Sequence, residues 1–259
     1  MPRFAANLTM LFNEQPFLER FGAARAQGFD GVEFLFPYAY PAAEIGARLA
    51  AQQLELVLFN LPCGDWAAGD RGLAVDPARR GAFQDSVGLA LDYARALGAT
   101  RLHCMAGIVP PGLHPDAAAA CYIDNLGFAA RACAAHGISL LIEPINRFNM
   151  PGYFLQSSAQ AMAILAAVGA PNLRLQYDIY HAQRSEGELA NTIAALLPHI
   201  GHMQLADTPG RHEPGTGEIA YRFLFQHIDA LGYTGWIGCE YRPRADTVSG
   251  LRWRFDLTQ

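Results

Sequence analysis

Four oxygen-bearing side chains close four separate strand-like runs. Glu143 ends Leu-Leu-Ile-Glu-Pro, where proline stops the run, and Asp178 ends Leu-Gln-Tyr-Asp. Gln204 falls late in His-Met-Gln-Leu-Ala-Asp, and Glu240 ends Ile-Gly-Cys-Glu. If consecutive parallel strands bring those ends together, the three carboxylates cannot all stay ionised and unpaired; protons or a cation must neutralise them. Three carboxylates and an amide carbonyl form a hard donor set suited to Mg2+ or Mn2+, with Co2+ also compatible. A single strand-end acid is as readily a helix cap or the partner of an arginine. Four on successive strands favour the metal reading.

The elements that must position them alternate regularly. Strands are predicted at 4–10, 31–34, 54–60, 101–105, 139–143, 173–178, 202–206 and 236–240. Helical periodicity occupies 15–27, 42–52, 78–97, 115–136, 158–168, 186–197 and 220–231. Gly28, Gly98, Gly137 and Gly169 stand where helices should stop, and Ser158 and Ser185 are candidate N-caps. Strict β-then-α order implies parallel strands joined by right-handed crossovers. Eight such units across residues 1–259 predict a single α/β domain, a (β/α)8 or TIM barrel with a short or irregular eighth helix. A doubly wound open sheet would want a Gly-x-Gly-x-x-Gly after the first strand, and none is there. The longer loops, 61–77 and 207–219, follow strands 3 and 7 on the face where barrels build active sites.

Composition removes several functions. All 19 basic residues are arginine, so no lysine exists to form a Schiff base with a carbonyl substrate or pyridoxal phosphate. A net charge of −5 gives no basic field for nucleic acid or an anionic membrane. The 51% apolar content supports a large core, but the apolar runs are too broken for a membrane span, and no signal-peptide pattern is present. Five scattered cysteines without a Cys-x-x-Cys pair fit a reduced, cytoplasmic protein.

Leu-Ile-Glu-Pro-Ile-Asn (141–146), Gln-Tyr-Asp-Ile-Tyr-His (176–181), His-Met-Gln-Leu-Ala-Asp (202–207), Glu-Pro-Gly-Thr-Gly-Glu-Ile (213–219) and Gly-Cys-Glu-Tyr (238–241) resemble the hydroxypyruvate isomerase family of xylose isomerase-like TIM barrels. So do the first strand, Gly-Val-Glu-Phe-Leu-Phe-Pro-Tyr (31–38) and Asn-Leu-Pro-Cys-Gly-Asp-Trp-Ala-Ala-Gly (60–69), which extends the resemblance over nearly the whole chain. The resemblance implies Glu143 and Glu240 as the acid/base pair, and Glu143, Asp178, Gln204 and Glu240 as ligands of a divalent metal ion. It places a substrate-contacting histidine at His181. Related ketose epimerases carry histidine where Gln204 stands, which favours the hydroxypyruvate branch. The implied reaction interconverts hydroxypyruvate and tartronate semialdehyde through an enediolate, with a small 2-oxo or hydroxy acid as partner and no organic cofactor. A homo-oligomer is compatible with the sequence.

Other residues carry two readings each. Arg211 is suited to clamp a substrate carboxylate bidentately, or is a surface arginine in a mobile loop. Gly215-Thr-Gly217 makes an anion cradle or, more simply, a tight turn. Glu33 and Asn60 are supporting or structural, Trp66 is a lid or an apolar anchor, and Glu186 and Glu188 favour a helix start. Strand alternation turns Cys239 away from the axis. The competing functions are isomerisation of a four-carbon 2-oxo acid, ketose 3-epimerisation, an inosose-type dehydration and sugar-acid binding without turnover. An endonuclease-IV-like activity would want a histidine-rich site and a basic face.

Overall fold

The computed structural model describes residues 2–258. Eight strands close in chain order into a parallel barrel. They are β1 (Arg3–Asn7), β2 (Gly31–Phe34), β3 (Glu55–Asn60), β4 (Arg101–His103), β5 (Ser139–Ile142), β6 (Leu173–Asp178), β7 (Ile200–Leu205) and β8 (Trp236–Cys239). Between them run α1 (Arg20–Ala26), α2 (Ala42–Gln52), α3 (Arg80–Leu97), α4 (Pro115–Ala134), α5 (Ser158–Val168), α6 (Ile179–Ser185), α7 (Leu189–Leu196) and α8 (Tyr221–Ala230). After β8, among the described residues, come only α9 (Thr247–Gly250) and α10 (Trp253–Asp256), the short and irregular closing helix that the sequence predicts. No described helix is long and apolar enough to cross a membrane.

The chain divides into two compact units. One comprises Met1–Leu35, Ala43–Val57 and Tyr177–Gln259; the other comprises Phe36–Ala42 and Leu58–Gln176. In the first, β1 pairs with both β2 and β8, aligning Ala5 with Gly31 and Gly238, and Asn7 with Glu33. β7 pairs with β8 so that Gln204 lies opposite Gly238. In the second, β4 pairs with β3 and β5, aligning His103 with Asn60 and Leu141. These strands are apolar and buried on nearly every residue, as a sheet covered on both faces requires.

Helix stops follow from local chemistry. α3 buries Phe83, Val87, Ala90, Leu91 and Ala94 on one face, a 3.6-residue stripe, and ends at Gly98 in the left-handed region (φ 69°). Ser157, not Ser158, caps α5: its side chain accepts from Gln160 N–H, and Ser158 is the first helical residue. Ser185 closes α6 instead of capping the helix after it. The helix expected over 186–197 is α7, with α6 inserted directly after β6. Gly187 (φ 69°) and Glu188 (φ 49°) break the chain between them, so neither Glu186 nor Glu188 lies within a first helical turn.

Candidate active site

Asp178 ends β6 and at once caps α6. Its Oδ1 accepts from Tyr180 N–H at 2.7 Å and His181 N–H at 3.3 Å, which turns the chain straight from strand into helix. That turn buries Asp178 and His181, so His181 is a helix residue facing the site and not a solvated loop histidine. Glu240 lies one residue past β8 and continues its ladder, donating its N–H to Leu205 O at 3.1 Å. Arg211, in the loop after β7, donates Nη2–H to Glu240 Oε2 at 2.6 Å and stands 3.8 Å from Asp178 Oδ2. Its guanidinium also lies 5.2 Å from the centre of the Tyr180 ring. The structure thus gathers Asp178, His181, Arg211 and Glu240 within one unit.

Electrostatics here run against ionisation. Burial raises the Glu240 carboxyl to about 8, Arg211 opposes the shift, and the charges of Asp178 and Glu33 add to it. Burial likewise raises Asp178, with Arg211 as the main opposing influence. Burial, reinforced by Arg211 and Arg184, pushes His181 well below the usual histidine range, so its imidazole is neutral. Asp178 Oδ2 is buried, with His181 Nε2 at 3.7 Å and Arg211 Nη2 at 3.8 Å, both outside hydrogen-bonding range. Asp178 and Glu240 both face Arg211, yet burial outweighs its charge and holds both carboxyls above their ordinary values.

Gln204 sits on β7 beside this group but is held by a different partner. Its Nε2–H donates to Glu33 Oε1 at 2.8 Å, Asn7 Nδ2–H to the same oxygen at 2.9 Å, and His202 Nε2 contacts Glu33 Oε2 at 2.7 Å. In the sequence Glu33 carries two readings, and His202 stands out by no motif of its own. The signal for His202 was its position two residues before Gln204, which puts both on one face of β7. In the second unit Glu143 lies one residue past β5. It accepts from Gln176 Nε2 at 3.2 Å, with His103 Nε2 at 3.7 Å from the same oxygen. Neither Gln176 nor His103 was singled out from the sequence.

The loop after β7 explains the Gly-Thr-Gly motif. The anion it cradles is the protein's own Asp207. Gly215 N–H and Gly217 N–H each donate to Asp207 Oδ2 at 2.9 Å, while Thr208 and Ile219 N–H donate to Oδ1 at 2.9 and 3.1 Å. Asp207 also exchanges backbone bonds with His212 and Arg211, holding Arg211 in the left-handed region at φ 56°. A Cβ on Gly217 would lie 1.7 Å from Thr208 O. Gly217→Ala is therefore expected to cost about 1–3 kcal/mol and to speed proteolytic cleavage within 208–219. An unchanged melting temperature and cleavage pattern would discount the cage.

The loop after β3 is also pinned. Asp70 accepts from Asp65 N–H at 2.7 Å and Arg79 Nη1 at 2.6 Å. Trp66 is 42% exposed, with Arg71 stacked 3.8 Å above its ring and Phe36 beside it. Tyr38 donates its hydroxyl to Asn60 O at 2.6 Å, and Asn60 itself is buried. Cys239 is fully buried, in keeping with its expected core role.

Fold and site together define a (β/α)8 barrel with buried acids at the carboxyl ends of its strands. Residues 21–257 match the model of the xylose isomerase-like TIM barrel family, and the chain belongs to that family. It is 53% identical over 253 residues (98% of this chain, 97% of the relative) to a protein of Cupriavidus necator named 2-oxo-tetronate isomerase. It is 51% identical over 253 residues (98% of each) to the Escherichia coli protein named hydroxypyruvate isomerase. A crystal structure from Brucella melitensis titled AP endonuclease, family 2, superposes with a TM-score of 0.97 at 48% identity, covering 99% of each chain.

Proposed function

We propose that the protein is an isomerase that moves a carbonyl by one carbon along a short hydroxy acid, interconverting hydroxypyruvate and 2-hydroxy-3-oxopropanoate (tartronate semialdehyde). The observation that carries this reading is the buried acid pair Asp178 and Glu240 facing Arg211, a setting in which carboxyls are available for proton transfer and a guanidinium for a small acid. Naming of whole-length relatives as isomerases supports it. On this reading residues 1–259 act as one cytoplasmic domain. The net charge of −5 gives no basic field for nucleic acid, so this reading does not follow the Brucella title.

The donor set supports a divalent cation, because Asp178 and Glu240 are buried oxygen donors whose ionisation burial opposes and a cation would favour. Glu143, Asp178, Gln204 and Glu240 would hold it, with Mg2+ or Mn2+ suiting the oxygen donors. When bound, such an ion supplies electrophilic polarisation of the substrate's carbonyl and hydroxyl oxygens. The chain's residues do the rest. One glutamate of the pair Glu143 and Glu240 removes a proton from C3 of hydroxypyruvate, giving an enediolate, and the other delivers a proton to C2. The hydroxyl proton passes from O3 to O2, so no oxidant, reductant or organic cofactor is needed. Arg211 takes the substrate carboxylate on its guanidinium edge. Neutral His181 hydrogen-bonds a substrate oxygen without adding charge.

The same chemistry serves a four-carbon acid, and the Cupriavidus relative's name supports 2-oxo-tetronate as a second substrate. Both acids are offered to the enzyme in D2O with Mn2+, and NMR follows deuterium at the carbons flanking the carbonyl. Exchange with hydroxypyruvate is the expected result. Faster exchange with the four-carbon acid assigns that substrate instead, and no exchange with either sinks the isomerase reading.

A further inference from the structure

Glu33 is a buried carboxylate that the proton-transfer chemistry does not use. It lies 1% exposed near the end of β2, with both oxygens engaged: Oε1 by Asn7 Nδ2 and Gln204 Nε2, and Oε2 by His202 Nε2. Room for it is built into β8. A Cβ on Gly238 would fall 2.3 Å from each Glu33 oxygen, so a side chain at that position would evict the carboxylate. Gly238 is also the register partner of Gln204, so the absent side chain opens the path from Glu33 to the Gln204 amide.

A carboxylate only accepts hydrogen bonds, whereas an amide has a donating and an accepting end. The amide nitrogen of Gln204 must therefore face Glu33, and its carbonyl oxygen must face the other way. Metal ligands are commonly aimed by partners of this kind, whose loss weakens metal binding. We propose that Glu33 is a positioning residue that acts through Gln204, fixing the amide so that its carbonyl oxygen, and not its nitrogen, is presented to a divalent cation. His202 and Asn7 hold the Glu33 carboxylate in place for that task. This rests on the reading of Gln204 as a cation ligand.

The test is a double-mutant cycle read on metal affinity, independent of turnover. Metal-depleted full-length protein is titrated with Mn2+, and free Mn2+ is followed by electron paramagnetic resonance. The wild type, Glu33→Gln, Gln204→Ala and the double variant are compared, with melting temperatures measured alongside. Glu33→Gln is expected to weaken Mn2+ binding about 10–100-fold in the wild-type background. In the Gln204→Ala background it should change affinity by less than about threefold. Equal loss in both backgrounds would mean that Glu33 acts by its charge alone, and no loss in either would mean that it does not aim the ligand; each overturns the proposal. Glu33→Asp gives an answer even where Glu33→Gln fails to fold. It keeps the charge but draws the carboxylate back from the Gln204 amide, so Mn2+ binding should weaken, and unchanged binding overturns the proposal. A wild type that binds no Mn2+ removes the metal reading itself, an outcome distinct from those failures.

Discussion

Glu240→Gln is expected to lower kcat about 10²–10⁴-fold with the fold retained, and Glu143→Gln to do the same. Glutamine matches glutamate in size, so neither change empties volume from these buried positions. What it removes is the capacity to accept or return a proton. At position 240 it also replaces the titratable carboxyl that meets Arg211 at 2.6 Å by an amide that cannot ionise. The loss corresponds to roughly 3–5 kcal/mol of barrier, far above the effect of a slightly misplaced substrate clamp. The two variants should part company in D2O. The one lacking the C3 base loses deuterium exchange and turnover together. The one lacking the group that serves C2 still exchanges C3 protons while forming little product. Steady-state kcat, exchange by NMR and the melting temperature decide the matter. A kcat within about threefold of wild type in either variant would withdraw that glutamate from the acid/base pair.

Much of this architecture is legible in the sequence, because each layer repeats one message. Parallel strands buried on both faces read as apolar runs, and helices between them read as 3.6-residue stripes ended by glycine, as at Gly98. The ends are less legible. Glu143 and Glu240 both fall one residue beyond their strands, since strand assignment depends on the neighbour's hydrogen bonds and not on apolar content. Helix α6 is hard to see in the sequence because its start signal, Asp178, also reads as a ligand, and because seven residues are too few to show a period. Ser157 and Ser158 are chemically equivalent as caps; only backbone geometry selects the first. The partners of the site acids were the least visible. The Glu33–Gln204 contact requires knowing that β2 and β8 both flank β1 and that Gly238 leaves the space open. The Arg211–Glu240 pair depends on a loop folded around Asp207, whose backbone donors no side-chain pattern announces.

Removing divalent metal is expected to cut activity at least about 100-fold, with recovery on adding Mn2+ or Mg2+. Stability supplies an independent reading of the same event, and its pH dependence has a definite sign. Burial raises Glu240 to about 8 in the metal-free fold, well above the ordinary glutamate range, and raises Asp178 as well. Between about 4.3, the ordinary value, and 8 the folded metal-free chain therefore holds more protons than the unfolded chain. Linkage then makes these groups' contribution to stability greatest below that window and lost as pH rises through it. Metal works in the opposite sense, because ligands must shed protons to bind it. At free metal about a hundredfold above Kd the folded state gains roughly 2.7 kcal/mol, worth about 5–10 °C in melting temperature for a chain of this length. The difference between metal-loaded and EDTA-treated protein should accordingly be small at pH 5.5 and widen toward pH 8. Differential scanning calorimetry at both pH values, with and without Mn2+, measures it. A gap that is absent, or that narrows as pH rises, would show that the raised acids of this pocket do not bind the cation, whatever the activity assay reports.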